Sequence, residues 1–175
     1  MTKRILLAAL AAVLIVPATA HAESPINLAL FNPVQITAET ESVTAFRFSL
    51  IYGHNADLTG LDLSLVGMNS GSVSGIAFTG LGMVEGDFTG GQLSWLASIT
   101  NGNMQGLQWA VYNKAGLGSS GVQLGLLNMA DDFSGLQVGF VNIAESMRSG
   151  LQIGLINIIN NKDKLKVFPI VNWKF

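Results

Sequence analysis

Three copies of one sequence unit decide the fold: Gly121-Val-Gln-Leu-Gly-Leu-Leu-Asn128, Gly135-Leu-Gln-Val-Gly-Phe-Val-Asn142 and Gly150-Leu-Gln-Ile-Gly-Leu-Ile-Asn157. The unit recurs along most of the chain at intervals of 14 to 16 residues. Its leading glycines are Gly60, Gly75, Gly90, Gly106, Gly121, Gly135 and Gly150. The phase extends back to Ala45 and forward to Leu165, where Asn172 matches Asn157, and this gives about nine copies. Short copies at a fixed interval indicate an architecture in which each copy packs on the next.

Apolar and polar residues alternate within each copy, which is typical of a β-strand. The Phe46 column comprises Phe46, Leu61, Ile76, Leu107, Val122, Leu136 and Leu151. The Phe48 column comprises Phe48, Leu63, Phe78, Leu93, Trp109, Leu124, Val138, Ile153 and Phe168. The glutamine column between them comprises Arg47, Asp62, Gln92, Gln108, Gln123, Gln137 and Gln152. Because apolar side chains are usually the buried ones, we expect the Phe48 column to form the core and the glutamine column to face solvent.

The segments after the strands, such as 129–134 and 143–149, are rich in Asp, Ser and Asn, as turns are. An apolar residue nevertheless stands just before nearly every repeat glycine. These residues are Leu58, Val73, Phe88, Met104, Phe133 and Met147. We expect them to contribute to a core. No helix is predicted after residue 22, because no stretch keeps a period of 3.6 residues beyond two turns.

Two all-β folds accommodate equal copies of this length. The favoured one is a single-domain β-solenoid of about nine 15-residue coils with an N-terminal capping strand. In it Asn113, Asn128, Asn142, Asn157 and Asn172 would stack about 4.8 Å apart and hydrogen-bond to one another. In the earlier copies Gly67, Gly82 and Ala97 fill the same slot, so no ladder is expected there.

The alternative fold is an up-and-down outer-membrane β-barrel of about ten antiparallel strands. It is suggested by the alternation in Thr44–Tyr52 and by the final strand Val167–Phe175, which ends in Phe. The nearly constant spacing argues against it, because such barrels alternate short turns with longer loops.

The first 22 residues have the composition of a secretory signal peptide. Lys3-Arg4 are followed by the apolar run Ile5–Val16 and by the Ala20-His21-Ala22 cleavage site. We therefore predict a signal peptide at 1–22, an N-terminal cap at 23–44 and a repeat domain at 45–175. Residues 23–175 contain seven basic and eleven acidic residues, a net charge of −4 that argues against a nucleic-acid partner.

The chain from about residue 26 to 175 resembles a known family. The resemblance rests on Phe46–Gly53, on Asp57–Leu63, on the Gly-Leu-Gln-x-Gly-Leu-x-Asn copies and on the ending Phe168–Phe175. These motifs are similar to those of a family of bacterial surface-repeat proteins found in spirochaetes and other Gram-negative lineages. The resemblance implies an exported, surface-associated protein and implies no activity.

No pattern in the sequence predicts a catalytic residue, a cofactor site or a metal site. His54 is the only histidine after residue 22 and the chain has no cysteine, so a transition-metal site lacks ligands. Asp131-Asp132 and the pair Glu85 and Asp87 lack the spacing of a calcium loop and are interpreted as turn residues. The segment 116–121 matches G-x-G-x-x-G, but a strand follows it where a dinucleotide fingerprint needs a helix.

The aromatic residues Trp95, Trp109 and Tyr112 are the candidates for contact with a partner. Trp109 falls in the Phe48 column, and Trp95 and Tyr112 replace aliphatic residues, so we interpret all three as core residues. The sequence therefore predicts a non-enzymatic exported surface-repeat protein with a structural, adhesive or partner-binding role. Its place is the cell surface, the outer membrane or the periplasm. The alternative function is an outer-membrane barrel acting as an anchor or small pore.

We expect the exported protein to begin at Glu23, because Ala20 and Ala22 are the small residues that signal peptidase requires. N-terminal sequencing of protein recovered after export checks this. Replacement of Ala22 by Phe should leave an uncleaved precursor. A first residue of Met1 or Thr2 in the exported wild-type protein would contradict the prediction.

Overall fold

The computed structural model describes residues 22–175, whose regular secondary structure is entirely β-strand. The strands are β1 (Glu23–Phe31), β2 (Val34–Gln35), β3 (Ser42–Asn55), β4 (Leu58–Asn69), β5 (Val73–Val84), β6 (Phe88–Thr100), β7 (Met104–Trp109), β8 (Tyr112–Ala115), β9 (Ser119–Leu124), β10 (Leu127–Val138), β11 (Val141–Ile159) and β12 (Val167–Lys174). The predicted signal peptide lies outside the described residues except for Ala22.

The strands wind into a β-solenoid of about nine turns, as predicted. The copies in β3 to β11 pair in parallel with one another, in the register of the repeat: Gln137 lies beside Gln123 and Gln152, and Asn142 lies beside Asn128. The barrel alternative is wrong, because successive copies in a barrel would pair as antiparallel hairpins.

One coil consists of two strand segments joined by two corners. In the coil that starts at Ser119, the first segment is β9, and a corner at Gly125-Leu126 leads to the second segment, Leu127–Ala130. A second corner at Asp131-Asp132 returns the chain to the next coil. The strand segments of all coils therefore form two faces, and the corners stack into two edges.

The predicted inside and outside of the strands are reversed. The glutamine column is buried, with Gln108, Gln123, Gln137 and Gln152 all at 0% exposure. The Phe48 column points outward: Phe48 is 42% exposed, Trp109 is 58% exposed and Val138 is half-buried. Alternation shows which residues share a face of a strand but does not show which face is inside. The glutamine amides can be buried because each one hydrogen-bonds to an amide of the neighbouring coil.

The buried glutamines form a hydrogen-bonded ladder along the solenoid axis. Nε2 of Gln108 donates to Oε1 of Gln92 at 3.0 Å, and the same bond repeats from Gln123, Gln137 and Gln152 at 2.8, 2.6 and 2.7 Å. Each of these amides also donates across its own coil to a backbone carbonyl six residues later, as Gln152 does to Ile158 at 3.0 Å. The ladder therefore holds neighbouring coils in register and ties the two faces together.

The predicted asparagine ladder is confirmed from Asn113 to Asn157. Nδ2 of Asn113 donates to Oδ1 of Asn128 at 2.8 Å, and Asn128 and Asn142 each donate to the next asparagine at 2.7 Å. In the coil before it, Ser98 rather than Ala97 pairs with Asn113. The shift arises because two residues of β6 stand opposite one residue of β5.

The rest of the interior is apolar at one corner and ionic near the N-terminal end. The residues before the repeat glycines are buried as predicted: Leu58, Val73, Phe88, Met104, Phe133 and Met147 are at most 3% exposed.

In the first coils the amides are replaced by Arg47 and Asp62, whose side chains form hydrogen bonds of 2.6 and 2.9 Å. Arg47 also donates to Oδ1 of Asn69 at 2.9 Å, so the buried charges are hydrogen-bonded as well as paired.

The repeat glycines allow the coils to approach each other. Gly121 has a φ of +127°, and a Cβ there would lie 2.0 Å from the carbonyl oxygen of Gly106 in the preceding coil. A side chain at this position would both strain the backbone and separate the coils. The glycine that marks each copy is therefore a condition of stacking.

The two ends of the stack are closed differently. At the N-terminal end β1 adds a parallel rung to β3, and β2 pairs with β1 in the antiparallel direction. At the C-terminal end β12 runs antiparallel to β11, so the predicted continuation of the parallel repeat through Leu165–Phe175 is wrong. The polar segment 160–166 reverses the chain. Asn172 therefore lies beside Gln152 instead of Asn157, where Lys162 Nζ donates to its side chain at 2.7 Å.

We expect Gln137→Glu to destabilise the protein more than Val138→Asp. A carboxylate at position 137 would face two acceptors, Oε1 of Gln123 and the carbonyl of Ile143, in a site with 0% exposure. The cost should be several kcal/mol, against about 1 kcal/mol for the outward Val138→Asp. Denaturant unfolding at neutral pH measures both. A larger loss for Val138→Asp would reverse the inside and outside that we assign.

Candidate functional site

The outward side of the first strand segments is an apolar surface, here named face A. Its two columns continue from β1 to β12. They are Ile26, Phe46, Leu61, Ile76, Gly91, Leu107, Val122, Leu136, Leu151 and Trp173, and Leu28, Phe48, Leu63, Phe78, Leu93, Trp109, Leu124, Val138, Ile153 and Val171. Neither column contains a charged residue. Face A is therefore continuous and apolar over the length of the solenoid.

One of the two corners of each coil is apolar as well, and the stacked corners form what we name the apolar edge. It comprises Leu50, Ile51, Leu65, Gly80, Trp95, Leu96, Val111, Leu126, Phe140 and Leu155. All of them except the glycine are at least 48% exposed. Where the edge meets face A, the side chains of Phe78, Trp95, Trp109 and Leu126 line an open groove of about 640 Å³.

The outward side of the second strand segments, face B, is apolar with few exceptions. Its columns are Tyr52, Val66, Leu81, Ala97, Tyr112, Leu127 and Val141, and His54, Met68, Met83, Ile99, Lys114, Met129 and Ile143. These side chains are half-buried or buried. The apolar surface therefore continues around the apolar edge.

The opposite corners form a polar edge that is rich in acids. It holds Asp57, Ser72, Glu85, Asp87, Asn101, Asn103, Asp131, Asp132, Glu145 and Ser146. Most of these side chains hydrogen-bond within the edge: Asp132 pairs with Arg148, and Asp87 accepts from the backbone N–H of Asn103 at 2.8 Å. A row of Thr59, Ser74, Thr89, Gln105, Ser120, Ser134 and Ser149 separates this edge from face A.

The aromatic candidates lie outside the core. Trp95 is 80% exposed on the apolar edge, and Trp109 is 58% exposed on face A, so their assignment to the core is wrong. Tyr112 is half-buried on face B, where its hydroxyl lies 3.6 Å from the sulfur of Met129. The third tryptophan, Trp173, is 51% exposed on face A. All three indoles therefore lie on face A or on the apolar edge.

The remaining polar candidates are not brought together. His54 lies on face B, with its Nδ1 3.6 Å from Oε2 of Glu39 and its ring stacked against Tyr52. The segment 116–121 passes from the polar edge directly into β9. In the part of the chain from residue 22 onward, no three His, Cys, Asp or Glu side chains converge as metal ligands. The chemical property that these residues present to a partner is an apolar contact surface.

No protein-family model, curated protein or solved structure matches the chain. Among residues 22–175, no helix has the length and apolar character to cross a bilayer.

Sequence reasoning missed the apolar surface because it assigned these side chains to the core. Two signals in the sequence pointed to it. The corners at Leu50-Ile51 and Trp95-Leu96 are apolar where a corner in water would carry Gly, Asn, Asp or Ser. The strand columns also lack charge on the side that was assumed to be buried.

We expect Leu96→Asp to leave the fold intact, because Leu96 is 66% exposed. Its effect on the free energy of unfolding should stay within about 0.5 kcal/mol. Phe133→Ala, at 0% exposure in the interior, should cost roughly 3–5 kcal/mol. Denaturant melts followed by circular dichroism compare the two. Comparable losses would show that the apolar edge is packed against other parts of the chain.

Proposed function

We propose that this protein is a non-enzymatic, exported surface-repeat protein whose apolar exterior gives it a structural or adhesive role. The observation that carries the proposal is the division of each coil into an apolar edge with two apolar faces and an acidic polar edge. Monomeric soluble proteins rarely expose contiguous apolar patches larger than a few hundred Å². Face A alone, roughly 14 Å wide and roughly 43 Å long over the stack, covers on the order of 600 Å².

A binding role fits this exterior better than a catalytic one. Catalysis needs polar groups converging on a pocket that excludes water. The grooves of this surface are open and lined by aliphatic and aromatic side chains. The acids of the polar edge, except Asp131, accept hydrogen bonds from neighbouring turns, as Asp57 does from the backbone N–H of Ser72 at 2.7 Å. The repeated surface suits attachment over a long contact.

Export and exposure at the cell surface can be tested by cysteine labelling, since the chain has no cysteine of its own. Ser70→Cys places one thiol on the exposed polar edge. In a Gram-negative host producing the full chain, we expect a bulky, membrane-impermeant maleimide to label intact cells. The matched control lacks residues 2–22 and should be labelled only after lysis. Labelling of both proteins only after lysis would contradict the proposed function.

A further inference from the structure

We propose that the apolar edge, with faces A and B on either side of it, inserts into the acyl region of a lipid bilayer while the polar edge stays in water. The inference rests on the proposed function and names the partner of the same surface. The first observation concerns the two corners of each coil. Both corners reverse the chain, but one is apolar and the other is polar.

At two places along the apolar edge, the corner of one coil has one residue more than the corner of the neighbouring coil, and the residues at these longer corners are apolar. Leu50-Ile51 stands opposite the single residue Leu65, and Trp95-Leu96 stands opposite the single residue Gly80. Such bulges are free to carry polar residues when they face water. Here the result is an indole at 80% exposure and a leucine at 66% exposure at the tip of the edge. The tip is therefore built to contact an apolar medium.

Charge follows the same division. Arg47 and Asp62 are buried against each other in the interior. Among the described outward-facing residues, charges lie at the polar edge and at the two ends of the stack, with Lys114 on face B as the exception. A row of Ser, Thr and Gln side chains lies between the acids and face A. This order of acid, hydroxyl and apolar side chain matches the passage from water through a headgroup region to acyl chains.

Size and shape distinguish a bilayer from a second copy of the chain. A standard interface buries about 800 Å² on each partner. Face A alone approaches that area, and face B lies on the other side of the edge. One flat partner would cover one face and leave the other in water. A fluid apolar phase covers both faces and the edge at once and fills open grooves such as the one beside Trp95.

The aromatic residues and the net charge specify the kind of attachment. Tryptophan favours the boundary between headgroups and acyl chains, and Trp173 lies there, in the column of face A next to the row of Ser, Thr and Gln side chains, whereas Trp95 at the tip of the apolar edge contacts the acyl chains. Residues 23–175 carry a net charge of −4, so attraction to anionic lipid does not drive the contact. Binding should therefore need no anionic lipid and should resist salt.

The experiment uses residues 23–175, the predicted exported chain, whose strands form one continuous sheet, and vesicles of phosphatidylcholine. We expect the protein to float with the vesicles at low and high salt, and its tryptophan emission to move to shorter wavelength. Leu96→Asp should weaken partitioning about tenfold or more. The matched control is Leu117→Asp, because Leu117 is 71% exposed at the polar edge. It should change partitioning less than twofold.

Four results would overturn the inference in protein with an intact strand spectrum. They are no binding to vesicles, equal loss of binding in the two variants, a requirement for anionic lipid, and a lipid-free dimer that buries the tryptophans. The last result would identify a second copy as the occupant. Surface labelling of the Ser70→Cys protein together with any of these results would retain the proposed function and reject only the bilayer as partner.

Discussion

Every buried amide in this protein depends on the coil next to it. A glutamine inside a 15-residue coil would be costly if its N–H and C=O groups had no partners. Stacking at the spacing of a parallel sheet places an identical amide within hydrogen-bond distance, as with Gln123 and Gln137 at 2.6 Å. The nearly constant coil length and the glycine at the start of most copies both follow from keeping that distance.

This interior explains how the exterior can be apolar without losing the fold. The coils are held by backbone pairing, by two amide ladders and by the buried apolar column that includes Phe88 and Phe133. None of these elements needs the outward side chains of face A. The composition of the exterior is therefore not fixed by the fold, and its leucine, phenylalanine and tryptophan side chains are the observation on which the proposed apolar contact rests.

The repeat period predicted most of the fold. It placed Asn128 beside Asn142 and Gln137 beside Gln152, and the structure has both pairs. The period did not predict which side of the strand faces inward, because alternation has the same form for a polar core and an apolar core. The assumption that apolar residues are buried then placed Phe48 and Trp109 in the interior, whereas both face outward. The repeat period also gave the wrong direction for β12, because the polar segment that reverses the chain lies outside the repeat.

The direction of the hydrogen bonds in the two ladders bears on how such a chain can change its length. Glutamine amides donate toward the N-terminal end, as Gln152 does to Gln137, and asparagine amides donate toward the C-terminal end, as Asn142 does to Asn157. Within each ladder every rung points the same way, so one duplicated coil inserts a donor and an acceptor together. Because a duplicated coil adds one rung to each row, the two dipoles that it adds are opposed and offset each other. Gain or loss of a whole coil thus adds no unpaired interior group to the two at the ends of the rows, Oδ1 of Asn113 and Oε1 of Gln152, whereas a partial coil would break both rows.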